Sequence, residues 1–130
     1  MSDQPWLNEK DEYFGEIGGY SYYIRRGPVG ALCGYIGVPK GHPWFEVDYS
    51  ALDSVDVHGG LTFSGKLTQV DQLLWWLGFD CAHSYDVWPV SYRLTAFPGA
   101  TYKTVDFVVR QLSKLAEQAA EAVLKPPATI

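Results

Sequence analysis

"YSYYIRRGPVGALCGYIGV", Tyr20–Val38, is the stretch that decides the fold. Tyr20 to Arg26 is dense in aromatic residues that favour strands. Gly27-Pro28-Val29-Gly30 is a turn signal, and Ala31 to Val38 resumes strand character. Two strands joined by so short a connection form a hairpin, which sets the expectation of a mostly antiparallel sheet.

Working outward, "PKGHPWFEVDY" has Pro39, Gly41 and Pro43 spaced so as to forbid a helix, and predicts a surface loop carrying His42. Ser50 with Asp53 three residues on resembles a capping box, so a single helical turn is expected there. Val55, Val57, Leu61 and Phe63 follow a strand pattern interrupted by Gly59-Gly60. Paired glycines inside such a pattern mark a bulge or a close approach to the backbone. "LLWWLGF", Leu73 to Phe79, reads as a central strand buried on both faces. Cys81 to Ala100 is irregular. Beyond it Val105, Val108, Val109, Leu112, Leu115, Ala116, Ala119 and Val123 recur at helical spacing. That predicts an amphipathic helix over 101–124, capped by Thr101 or Thr104 and closed by Pro126-Pro127.

The expected architecture is therefore one α+β domain spanning 1–130. It has an antiparallel sheet of about four to six strands, one long C-terminal amphipathic helix packed on a face, and a flexible arm over 1–8. At 47% hydrophobic and 19% charged residues the chain is globular in composition. Aromatics reach 15%, which points to a stacked core or to an aromatic-lined pocket. The net charge of −5 argues against a nucleic-acid polymer as partner, because phosphate affinity comes mostly from Lys and Arg. Between Gly41 and Pro89 seven acids face Lys66 alone, and all three histidines lie in that span, so cations are favoured over bare anions. Two cysteines are too few for a disulfide scaffold. The acidic N-terminus lacks a signal-peptide pattern, and "LLWWLGF" is too short to span a bilayer. A reducing, cytoplasmic setting without membrane contact is the expectation.

Two segments concentrate chemistry, "DVHGGLTFSG" (Asp56–Gly65) and "DCAHSYD" (Asp80–Asp86). Strand residues two apart share a face, so Asp56 pairs with His58 and Cys81 with His83 in an extended chain. If the two runs are neighbours, His58, His83, Asp80 and Asp56 converge on a divalent metal, zinc or manganese. Imidazole and carboxylate are ordinary ligands, and a second carboxylate orients the imidazole from behind. His58, His83 and Asp80 are then the catalytic candidates, with bound metal activating water. Against this, Asp and His commonly tie down turns, and the spacing matches no established ligand signature. Asp80 and Asp86 oppose thiolate formation at Cys81, which reads as a packed residue. Trp44 and Trp88, in loops beside Pro43 and Pro89, are the aromatic pocket candidates, with Lys40 and Arg93 to clamp a phosphate.

"GYIGVPKGHPWFEVDY", "DVHGGLTFSG", "WWLGFDCAHSYD" and "YKTVDFVVRQLSKLAEQ" resemble a family of small, mostly uncharacterised proteins of tailed phages and prophages. The resemblance runs from about Leu32 to Gln118. It implies a viral or prophage origin, a shared fold and a bacterial host cytoplasm, but no established activity. Three functions follow as expectations: metal-assisted hydrolysis of a nucleotide-like small molecule, sequestration of a host defence signal nucleotide without cleavage, or docking onto a host protein.

Overall fold

In the computed structural model, residues 4–95 and 98–125 are described. The protein has an α+β fold: one five-stranded antiparallel sheet and a long C-terminal helix packed against it. The strands are β1 (Glu12–Ile17), β2 (Tyr20–Arg26), β3 (Leu32–Val38), β4 (Phe63–Gly65) and β5 (Trp75–Asp80), in the order β1-β2-β3-β5-β4. The Gly27–Gly30 turn joins β2 to β3, with Gly27 N–H donating to the Ala31 carbonyl at 2.8 Å. β1 was not foreseen. It carries Glu12, Gly15 and Glu16 on an exposed sheet edge, a composition with little strand signal.

A short helix α1 (Tyr92–Thr95) precedes the long α2 (Val105–Leu124). Thr104 is the N-cap: its hydroxyl accepts from Phe107 N–H at 3.3 Å. Thr101 lies outside the helix and forms an isolated parallel bridge with Asp86. Val108, Leu112, Leu115, Ala116 and Ala119 bury one stripe of α2 against Ile24, Leu32, Ile36, Leu77 and Phe79. The helix comes so close to β3 that a Cβ on Gly34 would stand 2.9 Å from Val108 Cγ1, so only glycine fits there. The opposite face of the sheet buries Tyr23, Tyr35 and Trp76 beneath Leu67 and Val70.

Several sequence expectations need correction. Pro5–Asn8 is a 3-10 turn rather than a loose arm, and Trp6 packs edge-on against Tyr92 and Tyr102. The turn near Ser50 is a 3-10 turn, Tyr49–Ala51, capped by Asp48 instead. β5 begins at Trp75, and Leu73 is 80% exposed, because Asp71 turns the chain by accepting from Leu73 N–H. Residues 55–62 make no strand. Their backbone groups are met by two glutamines of α2: Gln118 bonds both Asp56 N–H and Asp56 carbonyl at 2.7 Å, and Gln111 accepts from His58 N–H at 2.9 Å. Gln111 and Gln118 lie two helical turns apart and so present one face to this segment.

Candidate functional site

The β3–β5 pairing sets Cys33 opposite Asp80 at one end of the sheet and Val38 opposite Trp75 at the other. The first end carries the polar cluster. After Asp80 the chain turns, with Asp86 N–H donating to the His83 carbonyl at 2.9 Å. Asp86 in turn accepts from His83 N–H and from His83 Nδ1, each at 3.0 Å and on the same Oδ2. His58 arrives from the 55–62 segment and puts Nε2 3.0 Å from both Asp86 oxygens. The Asp86–Thr101 bridge brings in Lys103, whose Nζ lies 3.0 Å from Asp86 Oδ1.

The Asp86 side chain is fully buried. Burial alone would raise its carboxyl pKa. The bonds from His58, His83 N–H, Lys103 and the His83 ring outweigh that, and its pKa is lowered from the ordinary value. Rings wall the cluster. The His58 and His83 centroids are 5.3 Å apart, His58 meets Phe107 edge-on at 5.0 Å, and Tyr85 stacks on His83 at 5.5 Å. Lys103 Nζ lies 5.6 Å from the Phe107 ring centre, within cation–π range. Gly59, at φ +70°, is where a side chain approaches the backbone. A Cβ there would stand 2.2 Å from His83 Cε1.

One nitrogen or oxygen from each of His58, His83 and Asp86 lies within 4.8 Å of the others. Two imidazoles and a carboxylate form a donor set that suits zinc, manganese or non-haem iron. The two 3.0 Å spacings are hydrogen bonds from the imidazoles to Asp86, shorter than the roughly 3.4 Å between ligands held about 2.1 Å from a tetrahedral zinc, so an ion would have to replace those bonds and spread the three side chains.

The predicted site residues separate clearly. His58 and His83 come together. Asp80 stands behind His83, its Oδ1 3.8 Å from Nε2, and is held by Ala82 N–H at 3.0 Å and the Thr62 hydroxyl at 3.1 Å. It lies outside the close trio, and 3.8 Å is an ion-pair distance rather than a hydrogen bond to the His83 ring. Asp56 is 81% exposed, pairs with Lys114 at 3.2 Å and does not join, since its segment is not a strand and the two-residue face rule lapses.

Trp44 is buried in the core at the far end, and the neighbouring His42 is buried with it, so neither serves a pocket at this cluster. Lys40, exposed just past β3, shares that far end. Trp88 is half-buried and braces the turn through its indole N–H, which donates to the His83 carbonyl at 3.2 Å. Arg93 is exposed and packs over Tyr92. Cys81 is buried, and burial followed by nearby Asp86 pushes its thiol pKa up, consistent with a packed residue.

Sequence reasoning missed Asp86, Lys103, Tyr85 and Phe107 as members of the cluster. The signal for Asp86 was local: an acid three residues after His83 closes a turn onto it. Lys103 and Phe107 gave none, because only tertiary packing brings the approach to α2 alongside the His83 turn. No family model, curated protein or solved structure matches this chain. No helix among the described residues is long and apolar enough to cross a membrane.

Proposed function

We propose that His58, His83 and Asp86 hold a divalent metal, zinc or manganese, and that the protein hydrolyses a polar, nucleotide-like small molecule. The observation that carries this is the convergence of three ligand atoms within 4.8 Å. Asp80 acts on the His83 ring as a neighbouring charge. Lys103 neutralises the Asp86 oxygen that faces it, and Phe107 and Tyr85 limit water around the imidazoles. A bound metal would supply Lewis acidity and lower the pKa of a coordinated water.

The test is titration of chelator-stripped protein with zinc and with manganese, followed by a hydrolysis screen over phosphorylated nucleosides. One ion per chain is expected, with affinity lost about a hundredfold or more in His58→Ala and His83→Ala, and about tenfold in Asp80→Asn. No saturable uptake, or uptake indifferent to His58→Ala, would sink the proposal.

A second reading is favoured by Lys103. Its ammonium already meets Asp86, and among the described residues no buried side-chain nitrogen or oxygen lacks a partner. The cluster is then closed without metal, and the protein sequesters its ligand intact. Recovery of unchanged ligand from the denatured complex supports this; recovery of a cleaved product decides against it. The phage or prophage origin rests on the H-G-G-L-T-F-S-G and G-F-D-C-A-H stretches. It predicts virion or lysis genes beside the coding sequence, and an ordinary metabolic neighbourhood would oppose it.

A further inference from the structure

Tyr85 stands apart from the other rings of the cluster. Its inner environment is tightly determined: it stacks on His83 at an interplanar angle of 11°, and His58 meets it edge-on at 5.3 Å. Lys103 Nζ lies 5.9 Å from its centre. Yet Tyr85 remains 50% exposed, whereas Asp86 beside it is buried. A large ring held rigidly against two imidazoles and half open to solvent is pre-organised for stacking, since little side-chain freedom is lost when a partner covers it.

The open part of Tyr85 borders a concavity of about 260 Å³, which Ser84, Pro98, Gly99 and Ala100 complete. That falls just under the ~300 Å³ at which ordinary ligand pockets begin. It admits one planar ring system and leaves the rest of the ligand outside. Tyr85 links this concavity to the trio, since its ring also contacts His83 and His58.

We propose that Tyr85 and the Pro98–Ala100 wall form the subsite for the planar base of the ligand, with its phosphate directed to the His58–His83–Asp86 centre. This rests on the metal reading for the phosphate half only. Asp80 and Asp86 make the centre acidic, and Lys103 is already engaged by Asp86. A phosphate is therefore welcome there once a divalent ion has reversed the local charge. Base stacking on Tyr85 has no such requirement. The subsite thus predicts a ligand whose ring half binds with or without metal and whose phosphate half binds only with it.

Calorimetric titration with adenosine, adenosine 5′-monophosphate and ribose 5-phosphate tests this, on zinc-loaded and on chelator-stripped protein. Wild type, Tyr85→Ala and Tyr85→Trp are compared. Tyr85→Ala is expected to weaken adenosine and the monophosphate about ten- to a hundredfold on zinc-loaded and chelator-stripped protein alike, to weaken ribose 5-phosphate far less, and to be rescued by Tyr85→Trp. If zinc fails to bind but adenosine still depends on Tyr85, the subsite stands and the metal reading falls. If zinc binds and neither adenosine nor the monophosphate shows a Tyr85-dependent affinity, the subsite is overturned and the metal reading survives.

Discussion

Asp86 gathers two imidazoles, an ammonium and a backbone N–H onto one fully buried carboxylate. Truncating it strands Lys103 and both histidines without their acceptor. Asp86→Ala should cost about 3–5 kcal/mol by chemical denaturation, in the range for breaking a buried charge pair. A change within about 1 kcal/mol would mean that solvent already shares the site. Gly59 offers a second test. Gly59 and Gly60 both have positive φ, but a Cβ on Gly60 meets nothing within 4 Å, while one on Gly59 runs into the His83 ring. Gly60→Ala reports backbone strain alone, about 1 kcal/mol. Gly59→Ala should cost clearly more and shift the His83 ring resonances in an NMR spectrum. Equal losses and an unmoved His83 would show that the close approach does not hold the ring.

At the scale of elements, two loops are pinned to α2, one through Gln111 and Gln118 and the other at the Ala119 carbonyl. Gln111 and Gln118 hold the 55–62 segment. His42 holds the loop after β3: its Nε2 donates to the Ala119 carbonyl at 2.9 Å, and its Nδ1 accepts from Trp44 N–H at 2.9 Å. The Nδ1 bond requires the neutral ring, because a protonated Nδ1 cannot accept. Burial lowers its pKa below the ordinary 6.5, with the Ala119 carbonyl opposing. A depressed folded value means that the unfolded chain takes up the proton first. The His42 contribution is therefore complete above about 6.5 and drains away as pH falls towards the folded value. Stability should drop between pH 7 and pH 5, and His42→Leu should flatten that slope in denaturant titrations at each pH. An unaltered slope would assign the acid dependence elsewhere. The helix start makes a simpler case: Thr104→Ala should cost about 1 kcal/mol through loss of the cap.

Across the whole molecule the sheet separates two apolar layers, and the layer away from α2 is aromatic. Phe14 stacks on Tyr23 at 5.0 Å, Tyr23 on Tyr35 at 5.8 Å, and Phe63 closes the row edge-on at 5.4 Å. Burial raises both phenols to about 12, helped at Tyr23 by its bond to Glu12. A raised folded value makes this contribution complete below the ordinary 10 and lost as pH climbs towards 12. Alkaline unfolding should accompany late phenolate absorbance, and Tyr23→Phe should move its midpoint upward. Ionisation of Tyr23 or Tyr35 itself near pH 10 in a still-folded protein, picked out by comparing wild type with Tyr23→Phe and Tyr35→Phe, would contradict the layer's burial. Much of this architecture was legible beforehand. The Tyr20–Val38 hairpin follows from strand-favouring aromatics around the Gly27–Gly30 turn, and the α2 stripe from helical periodicity. β1 was hidden because its exposed edge carries little strand signal, and the 55–62 run was misread because Val55, Val57 and Leu61 alternate like a strand while Asp56 and His58 bond to glutamine side chains.

The candidate site divides the same way. Local chemistry in the chain singled out His58 and His83, and the turn residues around each, because capping, glycine conformations and short-range bonds are written in consecutive residues. Only the folded molecule decided which carboxylate the two imidazoles share. Asp86 displaced Asp80 and Asp56 from that role through the curl of one turn. Lys103 reached it through a bridge to Thr101, and Phe107 and Gln111 through the docking of α2. Contacts between residues far apart in sequence are set by how whole elements pack, and no window of the chain contains that geometry.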